Sequence, residues 1–270
     1  MSLSVVEGPI WLVGCGNMAG AMLRGWLDGG ADPAAFTVIR PSGAPVGEGI
    51  TVVQALPADG PVPALVVLGV KPQLLDVVAP DLAPMLAPET LLLSILAGVE
   101  LSTLRRRFAT PHTIVRAMPN MPVAIGRGVV TLASDTADAG ARARAEALMA
   151  PLGLVEWMDE GLFDVVTALA GSGPAFLFRF IDALAEAGAD SGLPADQAAR
   201  MALATVAGAA ALAAAEDESP RMLADRVASP GGSTRRGLDI LDEPEGLVPL
   251  LRNTLTAAIL RNREMAAAAR

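Results

Sequence analysis

Ile10-Trp11-Leu12-Val13-Gly14-Cys15-Gly16-Asn17-Met18-Ala19-Gly20 is the stretch on which the fold turns. Four apolar residues read as a strand, a pair of glycines closes it, and Asn17 to Leu27 carries a helical pattern that Gly29-Gly30 stop. A GxGxxA spacing means little alone, but between a strand and a helix start it has a physical use. Gly14 permits a tight turn, Gly16 lets a pyrophosphate approach the backbone, and Ala19 keeps the helix close to the strand. The unpaired N–H groups around Asn17 and Met18 then attract phosphate. The plain alternative is an ordinary strand–loop–helix turn.

Working outward, the first half alternates short strand-like runs with helical stretches. Strands are expected at Phe36–Ile39, Ile50–Val53, Ala64–Val70, Thr90–Ile95, Thr113–Met118, Gly128–Ala133 and Leu154–Trp157, with a helix over Ala137–Met149. Such alternation predicts a mostly parallel sheet covered on both faces. Beyond about Asp159 the strand-like runs give way to alanine-rich helical pieces: Ala168–Gly192, Ala195–Asp217, Pro220–Val227, Thr234–Asp242 and Gly246–Ala269. The expected fold is therefore α/β: a Rossmann-like dinucleotide-binding domain over residues 1–159, then an all-helical domain over 160–270. Alanine-rich helices suit an intertwined dimer, and an ordinary bundle within one chain is the alternative.

Composition removes several chemistries. The formal charge of −9 argues against nucleic acid and anionic membrane surfaces as partners. A single cysteine, Cys15, excludes an intrachain disulfide and a thiolate metal cluster, and a lone histidine, His112, offers no triad or zinc site. No metal is expected. There is no tyrosine to donate a proton. Met1 to Pro9 contain Glu7 and no basic run, so they do not read as a secretory leader, and a cytoplasmic location is expected. The apolar run Met201–Ala215 is shorter than the ~20 residues of a membrane span.

The candidate site residues lie at strand ends and glycine loops. After the second strand comes Arg40-Pro41-Ser42, where an NAD enzyme usually places an acidic residue. A guanidinium and a hydroxyl there suit a 2′-phosphate and favour NADPH, with NADH as the alternative cofactor and a solvated Arg40 as the bland reading. Val70, Lys71 and Pro72 follow the fourth strand, Ala97 and Gly98 the fifth, and Asn120 stands between Pro119 and Pro122. In the helical half, Ser172 and Gly173 open one helix, and Gly231, Gly232, Ser233 and Thr234 open another. Loop amides and hydroxyls there suit a carboxylate, and simple helix capping is the competing account of each.

Taken together and in order, Val70-Lys71-Pro72, Met118-Pro119-Asn120, Val166 to Ala175, and Ser229-Pro230-Gly231-Gly232-Ser233-Thr234 with Gly237-Leu238 resemble the pyrroline-5-carboxylate reductase family from end to end. The resemblance implies a Rossmann-like domain with a helical dimerisation domain, dimers assembled into larger homo-oligomers, and NADPH-dependent reduction of a cyclic imine to L-proline. It places Thr234 against the substrate as catalytic residue, assisted by Ser172. Gly173 and the Gly231 to Thr234 loop would hold the substrate, and Lys71, Pro72, Ala97 and Gly98 would line the cofactor. Two segments depart from the pattern: Gln54 to Asp59 lacks the family's asparagine, and Arg40-Pro41-Ser42 is one of several forms of the phosphate-reading segment. The reaction needs orientation rather than a nucleophile, which accords with so little histidine, cysteine and tyrosine. Two rivals are a β-hydroxyacid dehydrogenase, whose catalytic lysine has no counterpart between Asp159 and Arg200, and a non-catalytic dinucleotide-binding sensor.

Overall fold

The computed structural model describes residues 8–57 and 59–268. The leader expectation for Met1–Glu7, Ala58 of the Gln54–Asp59 segment, and Ala269 at the end of the last expected helix lie outside the described residues. Eight strands form one sheet: β1 (Ile10–Val13), β2 (Phe36–Ile39), β3 (Thr51–Val53), β4 (Leu65–Leu68), β5 (Leu91–Ser94), β6 (Thr113–Pro119), β7 (Gly128–Ala133) and β8 (Gly153–Trp157). The helices are α1 (Asn17–Asp28), α2 (Leu75–Leu82), α3 (Leu101–Arg107), α4 (Ala139–Met149), α5 (Phe163–Val166), α6 (Gly173–Asp190), α7 (Ala195–Ala215), α8 (Pro220–Val227), α9 (Ser233–Leu241) and α10 (Leu247–Ala268).

The strand order is β3-β2-β1-β4-β5-β6-β7-β8. All pairs are parallel except β6 with β7, which run antiparallel. Burial on both faces explains the apolar runs. Successive strand residues point to opposite sides, so Ile10 and Leu12 join one core while Trp11 and Val13 join the other. On the first face Trp26 stacks on Phe36 with ring centres 5.9 Å apart, and its indole N–H donates to the Leu148 carbonyl at 2.8 Å. That bond satisfies the buried ring nitrogen and ties α1 to α4. On the second face Leu75, Leu82, Leu101 and Leu104 bring α2 and α3 against the sheet.

Several expectations need correction. The sequence reading assigns no helix to residues 75–82 or 101–107. Helix α2 is short and carries Pro80 inside it, and α3 spans seven residues of which three are arginine, so neither shows a full amphipathic repeat. The expected helix from Ala168 starts instead with a π-turn over Thr167–Gly171, in which the Ser172 N–H donates to the Thr167 carbonyl at 2.8 Å. The apolar run at 201–215 is part of the 21-residue α7. By length and composition alone that helix, like the helical stretch Glu160–Asp190, is long and apolar enough to cross a membrane. The chain also divides into two compact units, the first of which extends to Ser172. The second unit runs over Gly173–Ala258, and from Ile259 the chain belongs to the first unit again.

Within the first unit, β6 holds the segment that follows β8. Arg116, its side chain 6% exposed, pairs with Glu160 at 2.8 Å and lies over the Phe163 ring at 4.6 Å. Glu160 Oε1 also accepts the Leu101 N–H at the start of α3, where a negative charge suits the helix dipole. Asn262 and Arg263 of α10 reach the Asp164 carbonyl and carboxylate.

Candidate active site

The carboxyl ends of β1, β2, β4, β5 and β6 share one edge of the sheet, because these strands are parallel. Between β1 and β4 the order reverses direction, and in such sheets the crevice at that point takes the ligand. The glycine loop lies there. Gly14 has φ +86°, and a Cβ on it would meet Val70 N at 2.7 Å, so no other residue fits without moving β4's end. A Cβ on Gly16, by contrast, would meet nothing within 4 Å. Gly16 caps α1 with no side-chain bond, which leaves the first amides of the helix facing open space. Ala19 is buried, and a Cβ on Gly69 would come within 2.9 Å of its methyl, so helix and strand loop are in close contact here. Asn17 is exposed and Met18 half-buried at the helix mouth.

The end of β2 is laced to this loop. Gly14 N–H donates to the Ile39 carbonyl at 2.9 Å, and Arg40 N–H donates to the Val53 carbonyl at 2.9 Å. A cavity of about 280 Å³ opens between them, lined among others by Gly16, Asn17, Gly20, Arg24 and Arg40. Ser42 is not among its walls; its hydroxyl accepts the Ala44 N–H at 3.3 Å in the turn beyond. Burial pushes the Cys15 thiol above its ordinary pKa, and the Arg40 and Arg24 charges pull it back without cancelling that effect. Cys15 is thus a small, half-buried filler of the loop.

Val70 and Pro72 are half-buried, and Lys71, the chain's single lysine, is exposed beside them. Gly98 turns the chain after β5 with φ +74°, and Ala97 next to it is exposed. Asn120 is a different case. It is buried, its amide donates to the Ala170 carbonyl at 3.0 Å, and its Oδ1 accepts the Val129 N–H at 2.9 Å. Both ends of the amide are engaged within the protein, so the side chain acts as a clamp between β6, β7 and the π-turn.

In the second unit, Gly231 has φ +72° and Gly232 caps α9 with no side-chain bond, so the first α9 amides, like those of α1, lack a side-chain cap. Ser233 and Thr234 are exposed at that helix start. The loop is braced by the next residue: Arg235 pairs with Asp225 of α8 at 2.9 Å and with Asp239 and Asp242 of α9 and its end at 3.1 and 3.0 Å. Desolvation works against the Arg235 charge, but the bonds to Asp239 and Asp225 outweigh it and hold its proton more firmly than usual. Gly173 opens α6, and Ser172, half-buried, ends the preceding π-turn in the first unit. Among the described residues no cluster of three or more His, Cys, Asp or Glu is arranged to hold a metal.

Sequence reasoning missed Arg24, Glu160 and the Arg235 brace. Arg24 could have been found from its place four residues after Gly20 and eight after Gly16, on one helix face. Glu160 stands 44 residues from Arg116 with no local signal linking them.

Residues 160–265 match the model of the pyrroline-5-carboxylate reductase dimerisation family. The chain is 34% identical over 264 residues to the pyrroline-5-carboxylate reductase of Pseudomonas aeruginosa, covering 95% of this chain and 96% of that protein. It is 36% identical to that of Pisum sativum, covering 94% of each. Among solved structures, a pyrroline-5-carboxylate reductase from Coxiella burnetii superposes with a TM-score of 0.86 at 32% identity, over 95% of this chain and 98% of that one. The Plasmodium falciparum pyrroline carboxylate reductase, solved with NADP bound, agrees in fold with a TM-score of 0.82 at 22% identity, over 97% of this chain and 99% of that one.

Proposed function

The chain belongs to the pyrroline-5-carboxylate reductase family, and on that premise we propose that it reduces 1-pyrroline-5-carboxylate to L-proline with NADPH, the last step of proline biosynthesis. The observation that carries the reading is the open, uncapped start of α1 behind Gly14 and Gly16, at the point where the strand order reverses. A loop on which a Cβ at Gly14 would strike Val70 while Gly16 faces open space fits a pyrophosphate against the backbone. Gly14, Gly16, Asn17, Met18 and Ala19 hold it; Val70, Lys71, Pro72, Ala97 and Gly98 line its far end; Arg40, with Ser42 in the following turn, selects NADPH over NADH. Asn120 contributes to this wall through its backbone position and its clamp on Ala170.

When bound, the nicotinamide supplies the hydride. The chain's own task is to hold an anionic cyclic imine still and keep its nitrogen protonated. We assign the carboxylate to the amides of Gly231, Gly232 and Ser233 at the open start of α9, where the dipole favours an anion, with Gly173 beside it. Thr234 bonds the ring nitrogen through its hydroxyl, and Ser172 is assigned the assisting role. Arg235 acts through its three aspartates, which fix the helix that carries Thr234. The absence of lysine between Asp159 and Arg200 speaks against the β-hydroxyacid dehydrogenase alternative.

The functional division we adopt is a cofactor domain over 1–159 and a substrate and dimerisation domain over 160–270, supported by the family match that starts at residue 160. The apolar faces of α6 and α7 are then covered by a second copy of this chain rather than by lipid, and dimers assemble further in the cytoplasm. The test is spectrophotometric. Purified chain with NADPH and 1-pyrroline-5-carboxylate should lose absorbance at 340 nm while proline accumulates. Flat absorbance with a folded, NADPH-binding chain would leave the sensor reading standing.

A further inference from the structure

The cavity beside the glycine loop has one wall that the reading above does not use. Gly16, Gly20 and Arg24 all line it, and residues four apart stack on one face of α1. We propose that Arg24 joins Arg40 in reading the 2′-phosphate of NADPH, so that cofactor choice rests on a two-arginine clamp drawn from α1 as well as from the end of β2. The inference deepens the cofactor reading given above and rests on it.

The geometry carries it in three steps. First, Arg24 reaches back along the helix towards its N-terminus, the direction helical side chains take. Its Nη1 lies 3.8 Å from the place a Cβ on Gly20 would occupy, and Cys15 Sγ lies at the same distance from that place. The guanidinium tip of Arg24 and the Cys15 sulfur thus stand at ordinary van der Waals distance from the same point, which sets Arg24 beside the phosphate loop. Second, both guanidinium groups act on the same thiol: the Arg40 and Arg24 charges each favour the Cys15 thiolate. Two cations thus share one small hollow. Third, among the described residues the guanidinium groups of Arg24 and Arg40 make no ion pair or hydrogen bond, whereas Arg116 pairs with Glu160 and Arg235 with three aspartates. Two like charges facing one cavity repel each other, and a bound dianion relieves that repulsion. A ribose 2′-phosphate brings the dianion, and the bare 2′-hydroxyl of NADH does not. The pyrophosphate has its own site in the amides of the α1 start, which leaves the arginines free for the second phosphate.

The test separates this inference from the reading beneath it. The full-length chain is titrated calorimetrically with adenosine 2′,5′-bisphosphate and with AMP, which shares the adenosine and 5′-phosphate but lacks the 2′-phosphate. Arg24→Gln should weaken the bisphosphate about tenfold or more and leave AMP within about twofold, with Arg24→Lys falling between. In steady state the KM for NADPH should rise by a similar factor and the KM for NADH should not follow. Bisphosphate affinity unchanged in Arg24→Gln, or lost in equal measure for both nucleotides, overturns the clamp while the cofactor reading stands. A wild-type chain that binds the two nucleotides equally defeats the NADPH reading and the clamp with it.

Discussion

Strand β4 and helix α6 are both rich in apolar residues, yet they end up in opposite surroundings. Every residue of β4 is at 0% exposure, whereas none of the 18 residues of α6 is buried, and Phe178 stands 64% exposed. The sheet unit closes its own core on both faces with its own helices. The helical unit leaves Leu177, Phe178, Phe180 and Leu184 uncovered on α6 alone. An apolar face of that size is stable only against a partner. One unit is therefore a finished domain and the other half of an interface, in keeping with the dimerisation family it matches.

The contrast can be broken most sharply at Phe178. Phe178→Asp should cost on the order of 3–5 kcal/mol per side chain in assembly and turn the sedimenting species into a monomer. The same change at Val77, 68% exposed on α2 of the sheet unit, should leave both mass and melting temperature nearly unmoved. Equal effects at the two positions would erase the distinction between the units.

A second test compares ion pairs. Glu160→Ala leaves the Arg116 charge buried and also removes the acceptor of the Leu101 N–H, and it should cost about 2–3 kcal/mol in chemical denaturation. Arg179→Ala in the exposed i,i+3 pair with Asp182 on α6 should cost roughly 0.5 kcal/mol or less.

A third sharpens the division of labour between the two open helix starts. Thr234→Ala at α9 should lower kcat about tenfold, the size of one lost hydrogen bond, while AMP binding at α1 is retained. A fall in nucleotide binding instead would mean that Thr234 holds the fold rather than the substrate.

The smallest effect lies at the surface of the sheet unit. The Arg107 guanidinium, bonded at 2.8 Å, holds the Asp76 carboxyl below the usual carboxylate range. A depressed folded pKa adds stability above the ordinary carboxylate pKa and loses it as pH falls through the folded value. Asp76→Asn should therefore lower the melting point slightly at pH 7 and not at all at low pH, and high salt should remove the difference.

The strands were legible because burial on both faces leaves unbroken apolar runs such as Leu65–Leu68, and the glycine loop because its spacing stands between a strand and a helix. The site loops beyond it were legible mainly through family resemblance: Lys71, Ala97 and Thr234 carry no local signal stronger than a strand or helix end. Other features were hidden for physical reasons. Helices α2 and α3 owe their form to packing on Val66 and Leu68 rather than to a repeat of their own. The π-turn at Thr167–Gly171 differs from an α-helix by one residue of hydrogen-bond register, which composition does not encode. The bond from the Asn120 amide to the Ala170 carbonyl spans 50 residues, and no local pattern announces it. An arginine on a helix looks solvated in sequence, and only its spacing of four and eight residues from Gly20 and Gly16 marks Arg24 there.

The central claim, that the chain reduces the imine by direct hydride transfer from NADPH, is tested most directly by isotope. Single turnovers with NADPH deuterated at nicotinamide C4, each epimer in turn, should yield proline carrying one deuterium at C5 from one epimer alone. Proline formed without deuterium from either epimer would contradict the account.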